Sequence, residues 1–357
     1  MKNERESKAF YNWHCHAAMT LLRGYGDNMP LQEWLQNKIW PREAKLTPED
    51  IYWSSRLALI EMIKSGTVGF CDMYWMDEET ERAVNESGMR ALIGVFVLSA
   101  MDEKTLDEKF ERLAEKSEQN GLVRYCIAPH AIYTCEERLL MRCVKASEKY
   151  NVPLHMHLSE TRQEVEECKR AHGGLTPVEY SERLGLLTER SIMAHCVHLS
   201  DSDIDILAKS GARCVHNPCS NMKLGSGTMR WQAMIDKGVR VVLGTDGVSS
   251  NNNLSMFDEM KVAALQQSLV NGVMSVNAKD VYDAATVPLW EGCENDRIYI
   301  KRDSAQMLPE NDWYSNMVYG ADTSVVTKVV CDGKTLMENG KVEGEEEVYD
   351  YFQSKKA

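Results

Sequence analysis

Short β-branched or apolar runs alternate with helical patterns eight times along this chain, and that alternation limits its fold more than any other feature. The expected strands are 10–17, 67–75, 90–98, 123–132, 152–159, 191–198, 212–217 and 239–245. Helical spacing marks 48–64, 78–86, 106–118, 136–150, 161–184, 201–209 and 229–237 between them, and 255–270 after the last. Thr47 stands before Pro48, Glu49 and Asp50, an N-cap followed by proline at the first helical position. Gly66, Gly88, Gly211 and Gly238 stand where helices should stop in a left-handed residue. Eight such units, joined by right-handed crossovers, make an α/β fold, the (β/α)8 TIM barrel. An open doubly wound sheet competes, but no glycine-rich phosphate fingerprint follows the first strand.

The chain has 357 residues, 43% of them apolar, enough for a core of that size in one barrel. A net charge of −13 with no basic cluster argues against nucleic-acid or anionic-membrane partners. No apolar run reaches the length of a membrane span, and Met1 to Lys8 lack the apolar centre of a signal peptide. The 11 cysteines show no C-x-x-C spacing and read as reduced thiols packed in the core, which predicts a cytoplasmic protein.

A barrel gathers its reactive groups at the C-terminal ends of its strands. His14 and His16 end the first expected strand and, two residues apart, share a face. His130 ends the fourth, His157 and Glu160 the fifth, His195 lies toward the end of the sixth, and Asp246 follows the eighth. His14, His16, His157 and Asp246 would give a divalent metal three imidazoles and a carboxylate with room for water, whose pKa the metal would lower. Glu160 could then protonate a substrate, Asp246 accept the water proton and His195 hydrogen-bond the attacking oxygen. The fourth strand contains no lysine to carbamylate and bridge two ions, so one metal is expected. Zinc is the first choice, while iron and nickel accept the same donors.

The motifs His14-Cys15-His16, Ala128-Pro129-His130-Ala131 and His155-Met156-His157-Leu158-Ser159-Glu160-Thr161 run in one order with three more. These are Ala194-His195-Cys196-Val197-His198, His216-Asn217-Pro218-Cys219-Ser220-Asn221 and Gly244-Thr245-Asp246-Gly247. Together the chain resembles the amidohydrolase superfamily, in the branch of S-adenosylhomocysteine and 5′-methylthioadenosine deaminases. The resemblance implies that His14, His16, His157 and Asp246 bind metal and that Glu160, His195 and Asp246 move protons. It also implies that Glu43 contacts ribose hydroxyls, that His130 and Glu160 contact substrate, and that an adenosine-type nucleoside is deaminated to its inosine analogue. Residues 104–107 offer no arginine for a substituent on the ribose 5′ carbon. Leu31-Gln32-Glu33-Trp34-Leu35 reads either as a lid or as an amphipathic helix packed inward.

Family members carry a small β-sandwich built from both ends of the chain. Here residues 1–9 read as a tail, 10–290 as the barrel, and 291–357 as a segment keeping only a reduced remnant of the sandwich. Residues 325–331 and 334–337 form its hairpin around Asp332-Gly333. A hairpin without its sheet leaves an open edge, which predicts a homo-oligomer covering it or a poorly ordered segment. His155 is expected in the barrel core, His172 in solvent, and His198 and His216 in structural places. Residues 343–347 read as a solvated acidic stretch.

Other functions compete with the nucleoside deaminase. The same barrel serves chlorohydrolases and guanine-type aminohydrolases, and a catalytically impaired relative would only bind nucleoside. A cytidine-type zinc deaminase needs Pro-Cys-x-x-Cys, and Met222 stands where the second cysteine belongs.

Overall fold

The computed structural model describes residues 3–118 and 121–355. Strand β1 (Glu4–Lys8) comes first and lies outside the barrel. The next eight are β2 (Phe10–Cys15), β3 (Thr67–Tyr74), β4 (Arg90–Val97), β5 (Val123–Pro129), β6 (Leu154–Leu158), β7 (Ser191–His195), β8 (Arg213–His216) and β9 (Arg240–Leu243). They neighbour one another in chain order and pair in parallel, the TIM-barrel arrangement. Every residue of β2, β3, β6 and β7 is buried, as a parallel sheet covered on both faces requires.

The first and last barrel strands meet through side chains as well as backbone. Asn12 accepts from the Thr245 backbone N–H at 3.0 Å and donates to Thr245 Oγ1 at 2.7 Å. One residue on, the Asp246 N–H donates to the His14 carbonyl at 2.9 Å. This seam brings Asp246 beside the histidines of β2.

The local signals act as the sequence suggests. Thr47 and Asp50 make reciprocal hydrogen bonds at the start of helix Pro48–Lys64. Gly66, Gly88, Gly211 and Gly238 all take positive φ, between +69° and +87°, where helices end. The expected helix 161–184 is instead two, Arg162–Ala171 and Pro177–Leu184. Gly173 and Gly174 turn the chain between them, and Thr176 caps the second with Glu179.

The ends of the chain depart furthest from expectation. The segment read as a tail contains β1, which pairs antiparallel with β10 (Arg297–Lys301) from Glu4 opposite Lys301 to Lys8 opposite Arg297. Residues 1 and 2 of that tail lie outside the described residues. β10 continues to β11 (Val326–Cys331), β12 (Lys334–Glu338) and β13 (Lys341–Val342) in a five-stranded antiparallel sheet. The hairpin therefore has its sheet, and the argument that a neighbouring subunit must cover it falls away. Ile298, Ile300, Val329 and Cys331 are fully buried on this sheet, and the Cys331 thiol donates to the Val68 carbonyl of β3.

Asp296, just before β10, ties the small sheet to the barrel. It accepts from Arg90 Nε at 2.6 Å, the Tyr11 hydroxyl at 2.7 Å and the Asp332 backbone N–H at 2.7 Å. The acidic stretch 343–347 is largely exposed, as expected, and Glu345, Glu346 and Glu347 also open helix Glu345–Ser354. Acidic side chains in a first turn face the positive end of the helix dipole. None of the described helices is long and apolar enough to cross a membrane.

Candidate metal centre and catalytic pocket

Eight side chains singled out in the sequence as site residues fall around one cavity of about 340 Å³, within the usual range for small-molecule sites. His16, Glu43, His130, His157, Glu160, His195 and Asp246 line it, His14 lies directly beneath, and Trp34 with Leu35 forms part of the roof. His14 ends near the C-terminus of β2, His157 lies in β6 and His195 closes β7. Ser159, His195 and Asp246 take φ of +52°, +73° and +61°. Non-glycine residues in this left-handed region cost free energy, and here they lie where the chain turns over the strand ends.

The donor atoms fit a divalent metal. Each of three imidazoles uses Nδ1 for an anchoring hydrogen bond and turns Nε2 inward. His16 Nδ1 meets the Met73 carbonyl, His157 Nδ1 meets the His130 carbonyl at 2.7 Å, and His14 Nδ1 meets His155 Nε2 at 2.9 Å. His16 Nε2 then lies 3.1 Å from Asp246 Oδ1 and 3.4 Å from His157 Nε2, while His14 Nε2 lies 3.6 Å from the same oxygen. Metal bonds of about 2.0–2.1 Å at tetrahedral angles would separate donors by about 3.3 Å. His14 Nε2 is moreover buried with no hydrogen-bond partner among the described residues, an orphan that a cation would satisfy.

Electrostatics keep two of the three imidazoles neutral and couple the third to Asp246. Burial, reinforced by neighbouring histidines, lowers the pKa of His14 to about 3 and holds His157 well below the usual range, so both rings keep a lone pair. Burial would also lower His16, but its hydrogen bond and charge interaction with Asp246 outweigh that and raise it to about 9. Burial pushes Asp246 up, and the nearby His14 and His16 rings more than reverse it, leaving its pKa well below the ordinary value. Ser220 and Ser250 donate to Asp246 Oδ2 at 2.6 and 2.9 Å, and the Gly247 N–H donates to Oδ1 at 2.7 Å. The carboxylate is fixed in orientation by all three.

Glu160 and His195 face each other beside this cluster, with His195 Nε2 3.7 Å from Glu160 Oε2. Burial raises the pKa of Glu160, and Ser226 donates to its Oε1 at 3.2 Å. His198 lies behind, its Nε2 donating to the Ser226 carbonyl at 2.6 Å. Asn221 Oδ1 accepts from His195 Nδ1 at 2.8 Å, which leaves the ring's Nε2 toward the cavity. Glu43 is half-buried at the opposite wall and accepts from the Tyr74 hydroxyl at 2.6 Å. His130 also lines the cavity, and its Nδ1 lies 2.8 Å from Thr134 Oγ1. Helical residues 31–43 put Leu31, Trp34, Leu35 and Ile39 over the cavity, so this segment both packs inward and covers the site.

Several supporting residues escape the sequence reading. Glu164 reaches back from the first turn of helix Arg162–Ala171 and accepts the Ser159 and Glu160 N–H groups at 2.8 and 2.7 Å. Burial raises its pKa to about 7. Asp72 of β3 accepts the Ala17 N–H at 2.8 Å and so holds the turn that follows His16. His155, expected as core, is fully buried but hydrogen-bonded to His14, and His172, expected in solvent, is half-buried and stacked on Tyr180. Thr161 at an N-cap three residues before Glu164 was a usable signal for the first of these.

Comparison with known proteins agrees with this geometry. The Amidohydrolase family pattern matches residues 9–288. A 5-methylthioadenosine/S-adenosylhomocysteine deaminase of Syntrophomonas wolfei is 42% identical over 93% of this chain and 81% of its own. A 5′-deoxyadenosine deaminase of Methanospirillum hungatei is 41% identical, covering 94% of this chain and 79% of that one. Among solved structures, a zinc-bound adenosine deaminase from Xanthomonas campestris superposes with a TM-score of 0.93 at 28% identity, covering 99% and 85% of the two chains. The zinc complex of the atrazine chlorohydrolase from Arthrobacter aurescens gives 0.88 at 18% identity, over 99% of this chain and 88% of that one, a likeness of fold alone. A barrel with hydrolytic groups at its strand ends and a family match over most of its length leave one assignment: the chain belongs to the amidohydrolase family and is a hydrolase.

Proposed function

We propose that the protein deaminates an adenosine-type nucleoside to the inosine analogue, consuming water and releasing ammonia, with one divalent metal, zinc before iron or nickel, held by His14, His16, His157 and Asp246. The observation that carries this reading is the convergence of those inward nitrogens and one carboxylate oxygen at 3.1–3.6 Å beside a buried Glu160. The relatives named above act on such nucleosides, which supports the substrate class.

The metal, when bound, supplies a water that ionises near neutral pH. The remaining work falls to the chain itself. Glu160, whose pKa burial raises, gives its proton to the ring nitrogen next to the amino-bearing carbon, which makes that carbon electrophilic. Asp246, ionised and fixed by two serines, takes the proton of the attacking water and passes it to the departing amine. His195, its Nδ1 held by Asn221 Oδ1, turns Nε2 to hydrogen-bond the attacking oxygen. Glu43, oriented by Tyr74, accepts from ribose hydroxyls, and His130 contacts the substrate. A ribose-binding carboxylate at this wall favours a nucleoside over a triazine or free guanine.

Ammonia release from adenosine, 5′-deoxyadenosine, 5′-methylthioadenosine and S-adenosylhomocysteine, before and after chelation, tests the proposal. At least one should be deaminated, with activity lost on chelation and restored by zinc. A metal-replete enzyme that deaminates none of them would overturn it.

A further inference from the structure

The three imidazoles of the proposed metal set differ in what holds their outer nitrogens. Those of His16 and His157 meet backbone carbonyls, of Met73 and His130. A carbonyl only accepts, so the backbone alone fixes both rings with hydrogen on Nδ1 and a lone pair on Nε2. His14 has no carbonyl there. Its Nδ1 faces Nε2 of another imidazole, His155, at 2.9 Å. Two facing imidazole nitrogens can place the shared hydrogen on either ring, and only one placement leaves His14 Nε2 a metal donor.

The residues behind His155 decide the placement. His155 Nδ1 lies 3.1 Å from Cys71 Sγ, and the Cys126 sulfur lies within 4.8 Å of the Cys71 sulfur, near enough to take the Cys71 hydrogen. All three are fully buried in the barrel interior. With the Cys71 hydrogen directed to Cys126, the Cys71 sulfur accepts from His155 Nδ1–H. His155 Nε2 is then an acceptor, and His14 must carry its hydrogen on Nδ1.

We infer that His155, set by Cys71, is a positioning residue that locks the tautomer of His14 and so presents its Nε2 to a divalent cation. The inference rests on His14 being a ligand, as proposed above. Outer partners of metal-bound histidines commonly govern affinity by about 10–100-fold. Of the three imidazoles, His14 is the one whose outer partner is a side chain and can be changed by substitution.

Zinc affinity of the metal-free full chain, measured by competition with a chromophoric chelator, tests this without any substrate. His155→Leu, similar in bulk but unable to accept, should bind zinc about 10–100-fold more weakly, while its metal-free melting temperature reports any loss of packing. His155→Gln, whose Oε1 can accept near the position of Nε2, should restore affinity to within about threefold of the parent. Cys71→Ala should weaken binding and Cys71→Ser should preserve it, which keeps the test alive if His155→Leu fails to fold. Equal affinities for His155→Leu and the parent, or for the two Cys71 variants, would overturn the inference. So would a second zinc equivalent lost in Cys71→Ala, because His155 Nδ1 would then be a ligand rather than a donor. A parent chain that binds no zinc would instead overturn the metal site itself, and this inference with it.

Discussion

At Glu160 two influences act on one carboxyl group in opposite directions: burial raises its pKa, and the Ser226 hydrogen bond with the charge of His195 lowers it. Burial wins, so the protonated form persists above the ordinary carboxylate range. Asp246 is shifted the other way. Proton transfer as proposed needs Glu160 protonated and Asp246 ionised. Activity should thus fall at high pH as Glu160 loses its proton, while Asp246 stays ionised to below 3.8, its ordinary value, and does not set the acid limb. Glu160→Gln cannot give up a proton and should lower kcat/KM by about 10²–10⁴-fold while leaving bound metal unchanged. Loss of metal in that variant would count against an acid role. The proposed ligand residues were legible because strand periodicity puts His14 and His16 on one face. Asp72, Ser220 and Ser250 were not, because each acts through a turn or a neighbouring helix whose path only the folded chain reveals.

Among the elements, the strands that line the site were readable and those of the small sheet were mostly not. Barrel strands are buried on both faces and show as apolar runs. β1 is Glu4-Arg5-Glu6-Ser7-Lys8, with only Ser7 buried, and pairs through its backbone at the edge of a sheet. Charged residues are poor strand formers by propensity yet common on protected edges, so composition concealed it. β10 begins after Asp296, whose carboxylate joins Arg90 of β4 and Tyr11 of β2 to the turn at Asp332. Asp296→Asn removes the buried counter-charge of Arg90, leaving it only the exposed Asp332 carboxylate at 3.0 Å, and should destabilise the chain by about 3 kcal/mol. Urea denaturation measures that loss. Activity per folded molecule should stay unchanged, since the pair lies away from the cavity. A stability within about 0.5 kcal/mol of the parent would show that the small sheet does not depend on this junction.

Taken as a whole, the molecule builds its cavity from elements far apart in sequence, and their combined character decides which 5′ substituent the nucleoside carries. Leu31, Trp34 and Leu35 come from the covering segment, Trp75 follows β3, Phe96 and Leu98 come from β4 and its end, and Met101 follows. The only ionisable groups among the described lining residues are carboxylates, histidines and two tyrosines, Tyr74 and Tyr133, with no lysine or arginine. The net charge of −13 adds a field of the same sign. A homocysteine tail would bring a carboxylate into this wall, and losing its hydration without a cationic partner costs about 1–3 kcal/mol or more. A methylthio or methyl group loses nothing there and gains contact with Phe96, Leu98 and Met101. The enzyme should therefore process 5′-methylthioadenosine and 5′-deoxyadenosine with kcat/KM at least about tenfold above S-adenosylhomocysteine. Competition between pairs of substrates in one vessel measures the ratio directly. Placing a cation in the wall by Met101→Arg should narrow it by accelerating the charged substrate, and a ratio near one in the parent enzyme would mean that the tail stays in solvent rather than against this surface.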